Sequence, residues 1–350
     1  MEPTGRFAPS PSGPLHIGNL RTALLAWLFA RSASAGFLVR IEDLDRQRSR
    51  PEHERGQLDD LSALGLDWDG EPIRQSERTD RYRTALLRLE RAGATYPCWC
   101  TRAEVRAAAD APHGPLPEGA YPGTCRRLSA AQRSERARAA GRAPSIRLDA
   151  AAAAVALAGS AAVDATSSAA PVLEPVGDGA HTSDTSAAWP RHPVSAPIAP
   201  PAISFTDRLH GRTTGGVDDF VLWRWDDTPA YNLAVVVDDG AQGMGEIVRG
   251  DDLLDSTPRQ ILLQHLLGLP SPAYAHVPLV LGPDGARLAK RHRAVTLADR
   301  AALGEAPGDA LAWMAASLGL AAPGEHPAAA DLLERFDPSA LPRDPALYSG

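Results

Sequence analysis

Arg6-Phe7-Ala8-Pro9-Ser10-Pro11-Ser12-Gly13-Pro14-Leu15-His16-Ile17-Gly18-Asn19 leads directly into residues 20 to 35, where Leu20, Leu24, Trp27 and Leu28 recur on one helical face. Prolines at 9, 11 and 14 exclude a helix before His16, and Gly36 fits just past its end. His16 and Asn19 therefore fall at a helix N-terminus, where free backbone N–H groups favour phosphate. Gly13 and Gly18 are expected to allow close backbone approach. Outward from this stretch come a strand pattern near Phe37 to Glu42, a helix opening at Pro51 and ending near Gly65, and another ending near Gly93. Residues 1–95 thus read as the first half of an α/β nucleotide-binding fold.

At the other end of the chain one residue type stands alone. Of 36 basic residues, Lys290 is the single lysine, which leaves 35 arginines (36 − 1). It lies within Arg287-Leu288-Ala289-Lys290-Arg291. Arginine presents a broad planar fork, whereas lysine is a compact ammonium on a flexible stem, suited to a moving phosphate contact. Lys290 is a candidate catalytic group.

Taken together, the His16 segment resembles the HIGH signature of class I aminoacyl-tRNA synthetases, and the Lys290 segment resembles their KMSKS loop. Asn19 replaces the second histidine of the first motif; Arg287 and Ala289 replace the first lysine and the serine of the second. Arg6 to Gly18, Val39-Arg40-Ile41-Glu42-Asp43, Tyr231 to Asp239 and Glu246-Ile247-Val248-Arg249-Gly250 are similar to the glutamyl branch. The likeness covers most of residues 5 to 300 outside one insert. Only 60 residues follow Lys290 (350 − 290), too few for the anticodon-binding region of a full glutamyl enzyme. The shortened family it resembles is the glutamyl-queuosine tRNA(Asp) synthetases, and Asp251-Asp252-Leu253-Leu254 fits that family too.

The resemblance implies a Rossmann-like catalytic domain, with no anticodon-binding domain, that activates L-glutamate with ATP without tRNA and transfers it to the queuosine of tRNA(Asp). His16 and Lys290 are its implied catalytic residues, and His16, Gly18, Asn19 and Lys290 its ATP contacts, with Mg²⁺ accompanying the nucleotide. Arg6 and Arg249 are implied to contact glutamate together with Tyr231, while Glu42 takes the α-amino group and Ala8 and Ser10 line the pocket. Arginine suits this task because its fork matches a carboxylate bidentately. Activation is mostly positioning and electrostatics, with no covalent enzyme intermediate. Asp43 and Asp45 are expected to be structural or solvated.

Cys98-Trp99-Cys100 and then Cys125 offer three thiolates at a spacing able to hold one structural zinc. The family pattern implies Tyr121 as the fourth ligand, and His113 competes with it. Three cysteines, an odd number confined to residues 98–125, suggest a reducing compartment instead of a disulfide framework.

Composition sets the outer bounds. A chain of 350 residues holds one large or two medium domains. No apolar run reaches transmembrane length and no secretory signal precedes the fold, so the expected setting is cytoplasmic, off the membrane. A net charge of −7 weighs against broad nonspecific nucleic-acid binding. Arg126, Arg127, Arg133, Arg136, Arg138 and Arg142 nevertheless form a local basic cluster, with Ser129 and Gln132 fitting a capping box that opens a helix through it.

Five segments are expected. They are 1–95, the first half of the catalytic domain; 96–149, a zinc-containing insertion facing the tRNA stem; and 150–202, an Ala/Ser/Pro insert with little to bury and no stable order. The second half follows at 203–285, then a KMSKS-like loop and short helical region at 286–350, poorly specified from Phe336. Within the second half, Ala230 to Val237 is apolar enough to be a buried central strand. The expected partners are ATP, L-glutamate and queuosine-bearing tRNA(Asp), with the chain acting as a monomer. The competing readings are a truncated synthetase charging tRNA(Glu), a nucleotidylyltransferase sharing the HIGH helix, and an inactive RNA-binding module.

Overall fold

A computed structural model describes residues 4–109, 121–160, 201–288 and 295–349. In chain order the first half comprises β1 (Gly5–Phe7), α1 (Ile17–Ser32), β2 (Phe37–Ile41), α2 (Pro51–Ala63), β3 (Ile73–Arg74) and α3 (Thr79–Arg91). β4 (Thr95–Cys98), α4 (Arg102–Ala109), α5 (Ala130–Ala140), β5 (Ser145–Leu148) and α6 (Ala150–Ser160) follow. The second half comprises β6 (Ala202–Asp207), β7 (Gly211–Gly216), β8 (Val221–Trp223), α7 (Tyr231–Ala241), β9 (Glu246–Gly250), α8 (Thr257–Leu266), β10 (Ala273–Val277) and β11 (Val280–Leu281). α9 (Leu297–Ala301), α10 (Pro307–Ser317), α11 (Ala329–Leu333) and β12 (Ala346–Leu347) close the described chain.

β1, β2 and β3 pair in parallel, as do β9, β10 and β6, with β7 antiparallel at the far edge. The two sheets meet where Thr4 bridges Met244 in parallel and Gly245 N donates to Thr4 O at 3.0 Å. Strand order therefore runs outward in both directions from β1 and β9. That reversal is the switch point of a doubly wound fold, and it opens a crevice at the strands' carboxyl ends. α1 lies beneath it; Ile17, Leu20, Leu24 and Leu28 are wholly buried, and the helix packs on β1, β9, α10 and α11.

The expected strand at 230–237 is instead helix α7. Periodicity cannot separate a buried strand from a buried helix in a short apolar run. Leu233 to Val237 are all buried because α7 packs between α3 and α8, and its continuation to Asp238 and Asp239 puts two carboxylates among arginines of the first half.

Two further expectations need correcting. Residues 150–160, assigned by composition to an unordered insert, form α6, whose Ala150 and Ala153 are buried against the α3/α7/α8 core. Small side chains suit that close packing. The remainder, 161–200, lies outside the described residues. The stretch after Phe336 is also placed: β12 pairs in parallel with β11, and buried Tyr348 packs edge-on to Trp313 at 4.9 Å.

β4, β5 and β8 form a separate antiparallel sheet that carries Cys98 at its end. Among the described residues no helix is long and apolar enough to cross a membrane.

Candidate active site

The crevice at the switch point is a cleft of about 320 Å³. Arg6, Phe7 and Ala8 reach it from the end of β1, and Val248, Arg249 and Gly250 from the end of β9. His16, Gly18 and Asn19 face it from the start of α1, with Glu42 beyond β2 and Tyr231 opening α7. Eight of the residues singled out from sequence thus share one cavity.

His16 is the N-cap of α1. Its Nδ1 accepts from Asn19 N at 3.2 Å, while Asn19 Oδ1 accepts from His16 N at 3.2 Å, a reciprocal capping box. Burial lowers the His16 pKa. A neutral imidazole whose Nδ1 accepts must carry its proton on Nε2, leaving that N–H as a donor. Gly18 fits closely here, since a Cβ would sit 3.1 Å from the His16 ring and press on it. At Gly13 no protein atom lies within 4 Å of a Cβ, so the fold itself does not demand a glycine there.

Beneath the cleft lies a buried charge network that sequence reading passed over. Arg40, wholly buried in β2, donates to Asp239 Oδ1 at 2.7 Å, Gln242 Oε1 at 2.7 Å and Glu42 Oε1 at 3.3 Å. Arg6 Nε reaches the same Asp239 oxygen at 3.3 Å. Burial works against the Arg40 charge, but Asp239, Glu42 and Asp238 outweigh it and hold the guanidinium more firmly protonated than usual. Burial raises the Glu42 pKa against the opposing pull of Arg40 and Arg6. An arriving ammonium group would favour its ionised form. The available signal was an arginine inside the apolar run Val39-Arg40-Ile41 and a paired Asp238-Asp239 ending another.

Arg249 is 5% exposed, and every partner it has is neutral. It donates to Thr257 Oγ1 at 2.8 Å, Gln260 Oε1 at 2.9 Å, His276 Nε2 at 3.0 Å and Tyr231 Oη at 3.5 Å. None of the ion pairs among the described residues includes it. A fixed guanidinium without a counter-charge, on the wall of a cleft, has the chemistry to receive an anionic group such as a carboxylate.

Ser10 is exposed and does not line the cleft; its carbonyl instead accepts from Gln57 Nε2 at 3.0 Å. Asp43 accepts from Ser76 N at 2.8 Å and Ser76 Oγ at 2.6 Å, the structural role expected of it. Lys290 lies outside the described residues. Of the residues flanking it, Leu288 lines the cleft, and Val295 O accepts from Ile17 N at 2.7 Å beside His16.

Away from the cleft, the Sγ atoms of Cys98, Cys100 and Cys125 all lie within 4.8 Å of one another. Tyr121 Oη is 3.4 Å from both Cys98 Sγ and Cys100 Sγ, and it accepts from Cys125 N at 2.8 Å. Arg147 lies over the Tyr121 ring at 3.8 Å. Sulfurs around a tetrahedral zinc sit about 3.8 Å apart, from Zn–S bonds of about 2.3 Å, so the three thiols fit such an ion. The Cys98 thiol is held low because Cys100 and Cys125 donate to it and Arg147 faces it. His113 lies outside the described residues.

The capping box at Ser129 and Gln132 opens α5 as expected. Much of the basic cluster around it is spoken for: Arg126 pairs with Asp219 at 3.2 Å, Arg136 pairs with Glu104, and Arg142 donates to Trp99 O at 2.9 Å.

A doubly wound sheet, a capped signature helix and a cationic cleft at the switch point define a class I synthetase. The family model for the catalytic domain of class I tRNA synthetases (E and Q) matches residues 4–158 and 194–323. The chain belongs to the glutamyl-Q tRNA(Asp) synthetase family. It is 52% identical over 341 residues to the glutamyl-Q tRNA(Asp) synthetase of Nocardia farcinica, covering 97% of this chain and 91% of that one. It is 45% identical over 353 residues to the protein of that name from Symbiobacterium thermophilum, covering 97% and 94%. Among solved structures it is similar to a glutamate tRNA ligase from Elizabethkingia meningosepticum in complex with its amino acid. The TM-score is 0.71 at 23% identity, covering 100% of this chain and 67% of that one, a likeness of fold.

Proposed function

We propose that this cleft activates L-glutamate with ATP, without tRNA, and then passes glutamate to the queuosine of tRNA(Asp). The observation that carries the reading is Arg249, a buried guanidinium on the cleft wall whose partners are all neutral. Arg249 and Arg6 receive the side-chain carboxylate with Tyr231, and Glu42 takes the α-ammonium. The α-carboxylate oxygen attacks the α-phosphorus of ATP and pyrophosphate leaves. His16 donates through its neutral Nε2–H to phosphoryl oxygens from the helix N-terminus, and Lys290 supplies the positive charge. Mg²⁺ accompanies the nucleotide and offsets its phosphate charge. A hydroxyl of queuosine then attacks the acyl carbon and AMP leaves.

Cys98, Cys100, Cys125 and Tyr121 would hold one zinc ion. None of them lines the cleft, so its role is to staple the β4/β5 segment. The setting is the cytoplasm, where the substrate RNA is found, and the chain acts as a monomer.

Glutamate-dependent exchange of pyrophosphate into ATP tests the first half-reaction. The expected result is exchange with no RNA present. Exchange that appears only on adding tRNA would contradict the reading.

A further inference from the structure

His276 and Asp207 form a buried pair directly behind Arg249, on strands β10 and β6. Both are buried, His276 wholly so, and neither lines the cleft. Asp207 collects donors: Leu209 N at 2.9 Å, His210 N at 3.0 Å, His276 N at 3.1 Å and His276 Nδ1 at 2.7 Å. With three backbone N–H groups directed at it, the carboxylate is an acceptor, so the fourth contact makes His276 Nδ1 the donor and places the imidazole proton there. Its Nε2 is then a bare acceptor, and it receives Arg249 Nε–H at 3.0 Å and faces Thr257 Oγ1 at 3.1 Å. Tyr274 lies near-parallel to the imidazole, ring centroids 6.0 Å apart at 12°.

This arrangement separates two jobs that usually go together. A carboxylate placed against Arg249 would orient the guanidinium but also neutralise it, and would compete with an incoming carboxylate. A neutral imidazole nitrogen orients it and leaves the positive charge available. Asp207 sets the tautomer from one residue further back, where its own charge does not touch the guanidinium.

We infer that His276 and Asp207 are positioning residues that hold Arg249 aligned yet uncompensated, and that they thereby set the preference for glutamate over its neutral amide, glutamine. This rests on the assignment of Arg249 to the substrate carboxylate.

The test measures pyrophosphate exchange with glutamate and with glutamine on the full chain. Asp207→Asn is close in size but presents an amide that favours the other histidine tautomer, turning an N–H toward Arg249. His276→Leu removes the acceptor, and His276→Gln restores one. In Asp207→Asn and His276→Leu the KM for glutamate should rise about ten- to a hundredfold, the scale for losing one hydrogen bond to a charged group. The KM for ATP should stay within about twofold, preference over glutamine should fall, and His276→Gln should recover most of the loss. A glutamate KM that is unchanged, or that moves together with the ATP KM, overturns the inference, as does failure of His276→Gln to recover while remaining folded by thermal melting. If Arg249→Lys itself leaves the glutamate KM unchanged, the reading of the pocket has failed; if Arg249→Lys is impaired and the pair is silent, only this inference has.

Discussion

His16 and Asn19 hold each other across the first turn of α1, each side chain accepting the other's backbone N–H at 3.2 Å. Asn19 thus occupies the second histidine's place in the signature as half of a helix cap. Replacing Asn19 with Ala should cost about 1 kcal/mol of stability, seen as a lower midpoint of unfolding, with a modest loss of exchange. His16→Ala removes the Nε2 donor and should slow adenylate formation about 10²- to 10³-fold. The pH dependence follows from the same atoms. Burial lowers the pKa of His16 and of His276, so both contribute stability that is full above the ordinary histidine value of 6.5 and is lost as pH falls below it. Asp60, raised to about 6 by burial, and Glu42, also raised, act in the opposite sense, so the histidine contribution is read as the difference between the parent and His16→Gln in denaturant titrations from pH 8 to 5. That difference should shrink on acidification, and one that grows would contradict it.

Lys290 is predicted to act as a point charge that arginine cannot replace. Lys290→Arg should lower the rate of adenylate formation about 10²- to 10³-fold while the apparent affinity for glutamate changes little. Pre-steady-state adenylate formation measures this. A variant forming adenylate at the parent rate would make the solitary lysine an accident of composition.

Elemental analysis of protein prepared without chelator should find about one zinc per chain. Tyr121→Phe should retain zinc less tightly, because Tyr121 Oη lies 3.4 Å from two of the three sulfurs. His113→Ala should leave the content unchanged. The opposite pattern would transfer the fourth position to His113.

Deleting residues 161–199 should leave exchange close to the parent rate, given how little their composition offers to bury. Extending the deletion to residue 151 should lower stability, since it removes α6 with buried Ala151 and Ala153. Equal stability of the two deletions would show that α6 contributes nothing to the core.

The N-terminal half was legible because its punctuation is local: three prolines stop any helix before His16, and Pro51 and Gly65 bracket α2. The cleft was legible at Arg6, Glu42, Tyr231 and Arg249 because short motifs carry them. α7 was not, since Leu233 to Val237 is apolar on all sides and only packing between two helices decides its state. Asp207 and His276 were hidden for a related reason. Each reads as an isolated polar residue in a strand, and only the β6–β10 pairing brings them to 2.7 Å.

The central claim is the transfer of glutamate to queuosine. Radiolabelled glutamate and ATP should be offered to three purified RNAs: tRNA(Asp) with queuosine, tRNA(Asp) without it, and tRNA(Glu). Label should enter only the queuosine-bearing tRNA(Asp), whereas comparable label on tRNA(Glu), or equal label on the two forms of tRNA(Asp), would contradict it.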